Sequence, residues 1–248
     1  MDRWRGLGIA LDVLDQAGAL AWVEEAIAAG RHGWVATPNP EIAVSAWRTP
    51  ALAAALNHAD LCLADGIGML WASRTLGGPL QERVPGIELL EQVLAVCARR
   101  GWPVYFLGAK PGVAAAAGRR AAARWPGLKV AGTAHGYFTA AESATVVRDI
   151  LAAEPRLLAV GMGHPRQEVW LAEHSPRLPA VIGIACGGSL DVLAGQVTRA
   201  PDWFRRRNLE WFYRIVATPR ERLGRSRALV DFAARVLAIR LGLTSRLG

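Results

Sequence analysis

Cysteine is scarce and scattered. Cys62, Cys97 and Cys186 stand far apart and form no CxxC pair, which argues against a disulfide scaffold or a thiolate metal site. Two lie in apolar runs and the third precedes a glycine pair, so small buried hydrophobes are expected; no histidine adjoins Cys186 in sequence to activate it as a nucleophile. The five histidines lack HxxxH or HxH spacing, which weighs against zinc. No run reaches the roughly 18 to 20 uncharged apolar residues that cross a bilayer. Asp12 and Asp15 interrupt the N-terminal stretch before a signal-like apolar core forms, so a cytoplasmic protein is expected. Lysine is nearly absent, with Lys110 and Lys129 alone, and arginine carries almost all of the positive charge.

What the chain does have is apolar residues, at 52% against 20% charged over 248 residues. That balance excludes a disordered or fibrous protein and suits one large or two small domains. The net charge of +8 is localised: residues 203–248 hold 11 arginines against 3 acids, while residues 1–202 balance 18 against 18. A basic tail on a neutral body points to an anionic partner, either a phospholipid surface, a nucleic acid or a phosphorylated substrate, unless it is a solvated helix face. The planar fork of arginine suits phosphate.

Short apolar runs alternate with longer alanine-rich amphipathic stretches. Strands are predicted at 7–11, 34–37, 61–64, 104–107, 128–131, 157–160 and 181–185, and helices at about 17–29, 41–57, 86–100, 111–124, 140–153, 165–174 and 188–194. This alternation predicts an α/β fold with a mostly parallel sheet covered by helices on both faces. Ligands of such sheets bind outside the carboxyl ends of the strands, and the unusual residues fall there: Thr37-Pro38-Asn39-Pro40-Glu41, Asp65-Gly66-Ile67-Gly68, Gly108-Ala109-Lys110-Pro111-Gly112, His135-Gly136-Tyr137, the loop from Gly161 to Glu168, and Gly187-Gly188-Ser189. Glycine at these turns lets backbone N–H groups approach a phosphate. Their shared position favours one composite site.

Neither familiar cofactor fingerprint is present. Gly161-Met162-Gly163 lacks the third glycine of a dinucleotide loop, and Gly108 to Gly112 is not a Walker loop. Asp65, just past a buried strand among glycines, could act as general base towards a substrate hydroxyl or could cap the following helix. Gln167 could read a base or sugar edge while Glu168 offsets the helix dipole. Asp191 could accept from ribose hydroxyls, and Arg83 could clamp a phosphate or form a surface ion pair. No DxD triplet occurs, so charge on a nucleotide diphosphate would fall on arginines and backbone N–H groups.

From Pro201 the glycine punctuation stops, and aromatic residues from Trp203 to Tyr213 mix with arginines. A last helix is predicted at about 226–241, with Leu229, Phe232, Val236, Leu237 and Ile239 on one side, Arg227, Asp231 and Arg235 opposite, and Arg240 amid the apolar side. The apolar face could lie on an anionic membrane or pack against the body or a partner.

These motifs together resemble the WecG/TagA/CpsF glycosyltransferases. The resemblance runs from about Leu7 to Arg222 and rests on Thr37-Pro38-Asn39-Pro40-Glu41, Ala64-Asp65-Gly66-Ile67-Gly68, Glu82-Arg83-Val84-Pro85-Gly86, Tyr105-Phe106-Leu107-Gly108, Gly136-Tyr137-Phe138, Gly161-Met162-Gly163 with Pro165-Arg166-Gln167-Glu168, Gly187-Gly188 with Asp191 and Gly195, Arg199-Ala200-Pro201, and Glu210-Trp211-Phe212-Tyr213-Arg214. It implies a Rossmann-like core over 1–202 and a basic helical appendage over 203–248 that associates with the membrane and completes the active site. It implies an inverting, metal-independent transferase, with no cofactor, that moves a sugar from a UDP-sugar donor to an undecaprenyl-diphosphate-linked acceptor in envelope polysaccharide or teichoic acid synthesis. N-acetylmannosamine is the leading donor sugar, with glucose or glucuronic acid as alternatives.

Carried over by position, Asp65 looks like the catalytic base. Thr37, Asn39 and Arg83 look like substrate-pocket residues; Gly108, Tyr137, Gln167, Gly187, Gly188 and Asp191 look like nucleotide contacts. Arg214, with Arg220 or Arg222, would meet the diphosphate. The family's Glu-Pro after the first arginine is Thr218-Pro219 here, which leaves the second arginine role open between Arg220 and Arg222. Placement at the inner face of the plasma membrane, no nucleic-acid partner and an open question of homo-oligomers complete the expectations. The rival reading is a nucleic-acid binder using the basic tail, whose affinity would fall steeply with salt.

Overall fold

A computed structural model describes residues 2–201, 203–204 and 219–244, with side chains of the last stretch described from Arg227. Its centre is a six-stranded, wholly parallel sheet of β3 (Gly33–Ala36), β4 (Leu61–Cys62), β5 (Pro103–Gly108), β6 (Lys129–Ala134), β7 (Leu157–Gly161) and β8 (Ile182–Ala185). Their order across the sheet is β4-β3-β8-β7-β5-β6. β3, β7 and β8 are buried along their whole length, which follows from helices covering both faces and explains their unbroken apolar runs.

One face carries α2 (Pro40–Arg48), α3 (Pro50–His58), α4 (Ile67–Thr75), α7 (Ala140–Ala153) and α8 (Arg166–His174), with Trp34, Leu56, Met69, Ile150 and Leu171 in its core. The other carries α1 (Gln16–Ala28), α5 (Gly86–Arg100), α6 (Val113–Arg124) and α9 (Ser189–Leu193), packed around Val35, Leu63, Leu90, Phe106 and Ile184. The chain leaves β5 for α6 on one face and β7 for α8 on the other. Adjacent strands whose connections part in this way open a crevice at their carboxyl ends.

Two expectations are corrected and one helix is added. The apolar run 7–11 is not a strand of the parallel sheet; Leu11–Asp12 (β2) pairs antiparallel with Arg3–Trp4 (β1), while Leu7 and Ile9 are buried as loop. Asp12 explains this, because its carboxylate binds Arg3 at 2.9 Å and accepts from the Cys62 N–H at 2.8 Å, which fixes the ribbon to the sheet edge. The helix predicted over 41–57 is two, since Pro50 offers no N–H to continue the first and starts α3. α4 was hidden by its glycines and its mixed composition.

The last helix, α10 (Pro219–Arg240), packs on α2 and α4. Phe232, Val236 and Ile239 are buried there, and Phe232 stacks on Trp47 at 5.7 Å. Of the two readings for this face, packing against the body is the one observed. Leu237, expected on the same side, is exposed, and Asp231 and Arg235, expected in solvent, flank the contact: Asp231 bonds Arg48 at 2.6 Å and the Arg235 guanidinium lies 5.1 Å from the Trp47 ring centre. Among the described residues no helix is long and apolar enough to cross a membrane.

Candidate active site

The strand order brings the sequence motifs into one row along the carboxyl edge of the sheet. Reading across, it runs from Asp65 after β4, through Thr37 and Asn39 after β3, the Gly187-Gly188 turn after β8, Gly161 to Gly163 after β7 and Gly108 after β5, to Tyr137 after β6.

The first half of the row is held by backbone bonds. Asp65 N–H donates to Pro38 O at 3.0 Å, and Val84 N–H donates to Ala64 O at 2.8 Å, which draws the Arg83 loop beside Asp65. Gly86, which opens α5, touches the Thr37 hydroxyl so closely that any side chain there would overlap it. A Cβ on Gly68 would come within 2.7 Å of Pro40. Thr37, Asn39, Asp65 and Arg83 are therefore gathered together, all half-buried. Asn39 caps α2, its Oδ1 accepting from the Ile42 N–H at 3.0 Å. The cap of α4 is Gly66, with φ of 90°, so Asp65 sits one residue ahead of the capping position.

The second half is a floor of closely packed glycines. Gly108 pairs with Gly161 across β5 and β7, and a Cβ on Gly108 would strike the Gly161 carbonyl. A Cβ on Gly161 would lie 2.6 Å from Gly187 O, and one on Gly136 3.1 Å from the Gly108 Cα. Above that floor a Cβ on Gly163, Gly187 or Gly188 would meet nothing within 4 Å, so the rim opens to a ligand. Tyr137 stands at one end with 64% of its surface free. Asp191 lies half-buried in the first turn of α9, just beyond the turn.

Gln167 does not stand free in the crevice. It is 3% exposed; its Oε1 accepts from the Gly187 N–H at 3.0 Å and its Nε2 donates to Glu168 Oε1 at 2.8 Å. Glu168 is 2% exposed, and burial holds its carboxyl above the ordinary carboxylate range. The burial of Gln167 and Glu168 is what the reading from sequence missed. For Gln167 the signal was there: at 100° per residue it falls on the same helix face as Trp170, Leu171 and His174.

All three cysteines are free and buried, and burial pushes the Cys186 thiol up to about 12. That favours the inert thiol over a nucleophilic thiolate. Arg214 lies outside the described residues, and Arg220 and Arg222 fall in the part of α10 for which only the backbone is described. Among the described residues no three His, Cys, Asp or Glu side chains converge as a metal-binding group. A separate groove of about 510 Å³, lined by His32, His58, Asp60 and Glu173, lies at the amino ends of the strands, away from this row.

Known proteins resemble the chain over most of its length. The chain is 36% identical over 189 residues to a Bacillus spizizenii protein, covering 76% of this chain and 73% of the relative. It is 36% identical over 203 residues to a Staphylococcus aureus protein, covering 82% and 79%, and 34% identical over 185 residues to one from Bacillus subtilis, covering 75% and 72%. All three relatives are named N-acetylglucosaminyldiphosphoundecaprenol N-acetyl-beta-D-mannosaminyltransferase. With a match to the family's pattern that spans residues 4–246, the chain belongs to the glycosyl transferase WecG/TagA/CpsF family.

Proposed function

We propose that this protein transfers a sugar of the N-acetylmannosamine type from a UDP-sugar to a sugar on undecaprenyl diphosphate, with inversion at the donor's anomeric carbon. The single observation that carries the reading is the neighbourhood of Asp65, Thr37 and Asn39 with the Gly187-Gly188 turn. Two inter-strand steps separate the ends of β4 and β8, about 10 Å. That distance accommodates a donor hexose between a nucleotide on the glycine rim and an acceptor hydroxyl at Asp65. The relatives' names support the lipid-linked acceptor and the transferred sugar.

In the proposed step the Asp65 carboxylate takes the proton of the acceptor hydroxyl. The freed oxygen bonds to the anomeric carbon from one side, and the bond to UDP breaks on the other, its electron pair leaving with the β-phosphate. Gly187, Gly188, Asp191 and Tyr137 hold the nucleotide, and Gly108 admits it by close approach of its backbone. Thr37, Asn39 and Arg83 line the substrate pocket between the nucleotide and the acceptor hydroxyl. Arg214, with Arg220 or Arg222, meets the diphosphate charge without a metal ion, and the basic tail holds the protein at the inner face of the plasma membrane.

Asp65→Asn keeps the shape and removes the basicity. Transfer should fall about 10²- to 10⁴-fold, measured as UDP release with a short-chain lipid-diphosphate-sugar acceptor, while UDP affinity stays at the wild-type value. Turnover near normal in that variant would sink the assignment. A panel of UDP-sugars in the same assay decides between N-acetylmannosamine and glucose or glucuronic acid.

A further inference from the structure

We propose that Glu168 is a positioning residue for the donor nucleotide: its carboxyl holds the Gln167 amide in the one orientation that presents Oε1 to the Gly187 N–H, and so fixes the Gly187-Gly188 turn. The proposal rests on the reading of that turn as the nucleotide site. Its observations are the chain of two bonds, Glu168 Oε1 to Gln167 Nε2 at 2.8 Å and Gln167 Oε1 to Gly187 N at 3.0 Å, and the near-complete burial of both side chains.

A glutamine amide has nearly the same shape either way round, so its orientation is set by its neighbours. On the Gly187 side the neighbour is a backbone donor, which requires the amide oxygen. On the other side Glu168 Oε1 accepts, as one oxygen of the carboxylate or as the carbonyl oxygen of the neutral acid, which requires the amide nitrogen. Glu168 removed, the nitrogen would lose its partner in a place water does not reach, and the flipped amide would set N–H against N–H at Gly187. Gly187 has φ of 51° and open space where a side chain would be, so the turn gains no packing from its own side chain. Its N–H bond to Gln167 is what ties it to α8.

The remaining oxygen of Glu168 supports a task rather than a filler role. Oε2 is buried and has no hydrogen-bond partner among the described residues, a state that costs free energy in a protein interior. An apolar side chain of the same length would fill the space without that cost. The carboxyl is accounted for by the amide it orients. Burial also favours its neutral form, which still offers Oε1 as a carbonyl acceptor, so charge is dispensable to this task and the acceptor oxygen is not.

The test uses the full chain with Glu168→Gln, Glu168→Met and Gln167→Met, each first shown to melt cooperatively. Glu168→Gln retains the acceptor oxygen and should keep UDP affinity, by calorimetry, within about twofold of wild type. Glu168→Met keeps the volume and loses the oxygen; UDP affinity should weaken about tenfold, the scale of one lost hydrogen bond, with the donor KM raised and kcat at saturating donor preserved. Gln167→Met should match it, and the double variant should be no worse than either single one, because both act through the same bond to Gly187. Amide hydrogen exchange at Gly187, read without any ligand, should quicken in both Met variants and not in Glu168→Gln. Wild-type affinity in Glu168→Met, additive losses, or unchanged Gly187 exchange would each overturn the proposal. A wild-type protein that binds no UDP but shows the predicted exchange pattern would instead remove the nucleotide reading and leave the Glu168 to Gly187 link standing.

Discussion

At the scale of single residues, the consequence of a buried carboxyl reaches beyond the site. Burial raises the Glu168 carboxyl in the folded chain from its ordinary value of 4.5. Below about pH 4.5 the group is protonated in folded and unfolded chains alike, and its contribution to stability is fully present. As the pH climbs, the unfolded chain releases the proton first, so this contribution is lost progressively until the pH passes the folded-state value. Glu168→Gln removes the titration and keeps the bond to Gln167. Its melting temperature should exceed wild type at pH 7, and the difference should shrink towards zero near pH 4; a gap of equal size at both would assign it to packing instead. The place of Asp65 at the carboxyl edge of the sheet was legible in the sequence because its position after a strand and before glycines is a local fact. Glu168 was read there as an offset to the helix dipole, because the Gly187 turn and the sheet that bury it are distant in the chain.

At the scale of elements, the alternation of apolar runs and amphipathic stretches was enough to specify strands and helices for most of the sheet. The short helix α4 was obscured locally by glycine at its cap and in its first turn, while a distant partner decided one failure, Leu7 to Leu11, drawn off the sheet by the bonds of Asp12 to Arg3 and Cys62. The contact between α7 and α8 is another such case. Trp170 Nε1 donates to Ser143 Oγ at 2.8 Å, and the same hydroxyl lies 2.7 Å from His174 Nε2, with all three side chains buried. The Ser143 hydroxyl thus accepts from the indole and shares a second hydrogen bond with the imidazole, and burial lowers the proton affinity of His174. Ser143→Ala strands two buried polar atoms at once, Trp170 Nε1 and His174 Nε2. It should cost about 1–3 kcal/mol, seen as a lower midpoint in urea unfolding with an unchanged slope. A midpoint equal to wild type would mean that the hydroxyl does not clasp the two helices.

At the scale of the whole molecule, the neutral body and the basic tail meet through a helix with two different faces. The inner face of α10 is spent on the body: Phe232, Val236 and Ile239 are buried, and Phe232 stacks on Trp47 of α2. Its outer face carries Val230 and Leu237, 68% and 48% exposed, and Leu241 just past its end, 72% exposed. At 100° per residue these three lie within about 40° of one another, pointing away from the buried stripe. Apolar residues in line beside arginine are what an anionic bilayer surface would take up, which is the role proposed for the tail. Deleting everything after Pro201 would test that role badly, because it would also strip the cover from Trp47 and unsettle α2, whose N-terminus carries Asn39. Separate substitutions on the two faces avoid the confusion. Leu237→Glu combined with Leu241→Glu should leave the melting temperature and UDP affinity at wild-type values while abolishing sedimentation with anionic liposomes and lowering transfer to a long-chain lipid acceptor. Phe232→Ala should do the reverse on stability, costing about 3–5 kcal/mol as buried aromatic truncations do. Liposome binding that survives the paired outer-face change would take the membrane role away from this helix and leave it as a brace for the substrate-pocket loop.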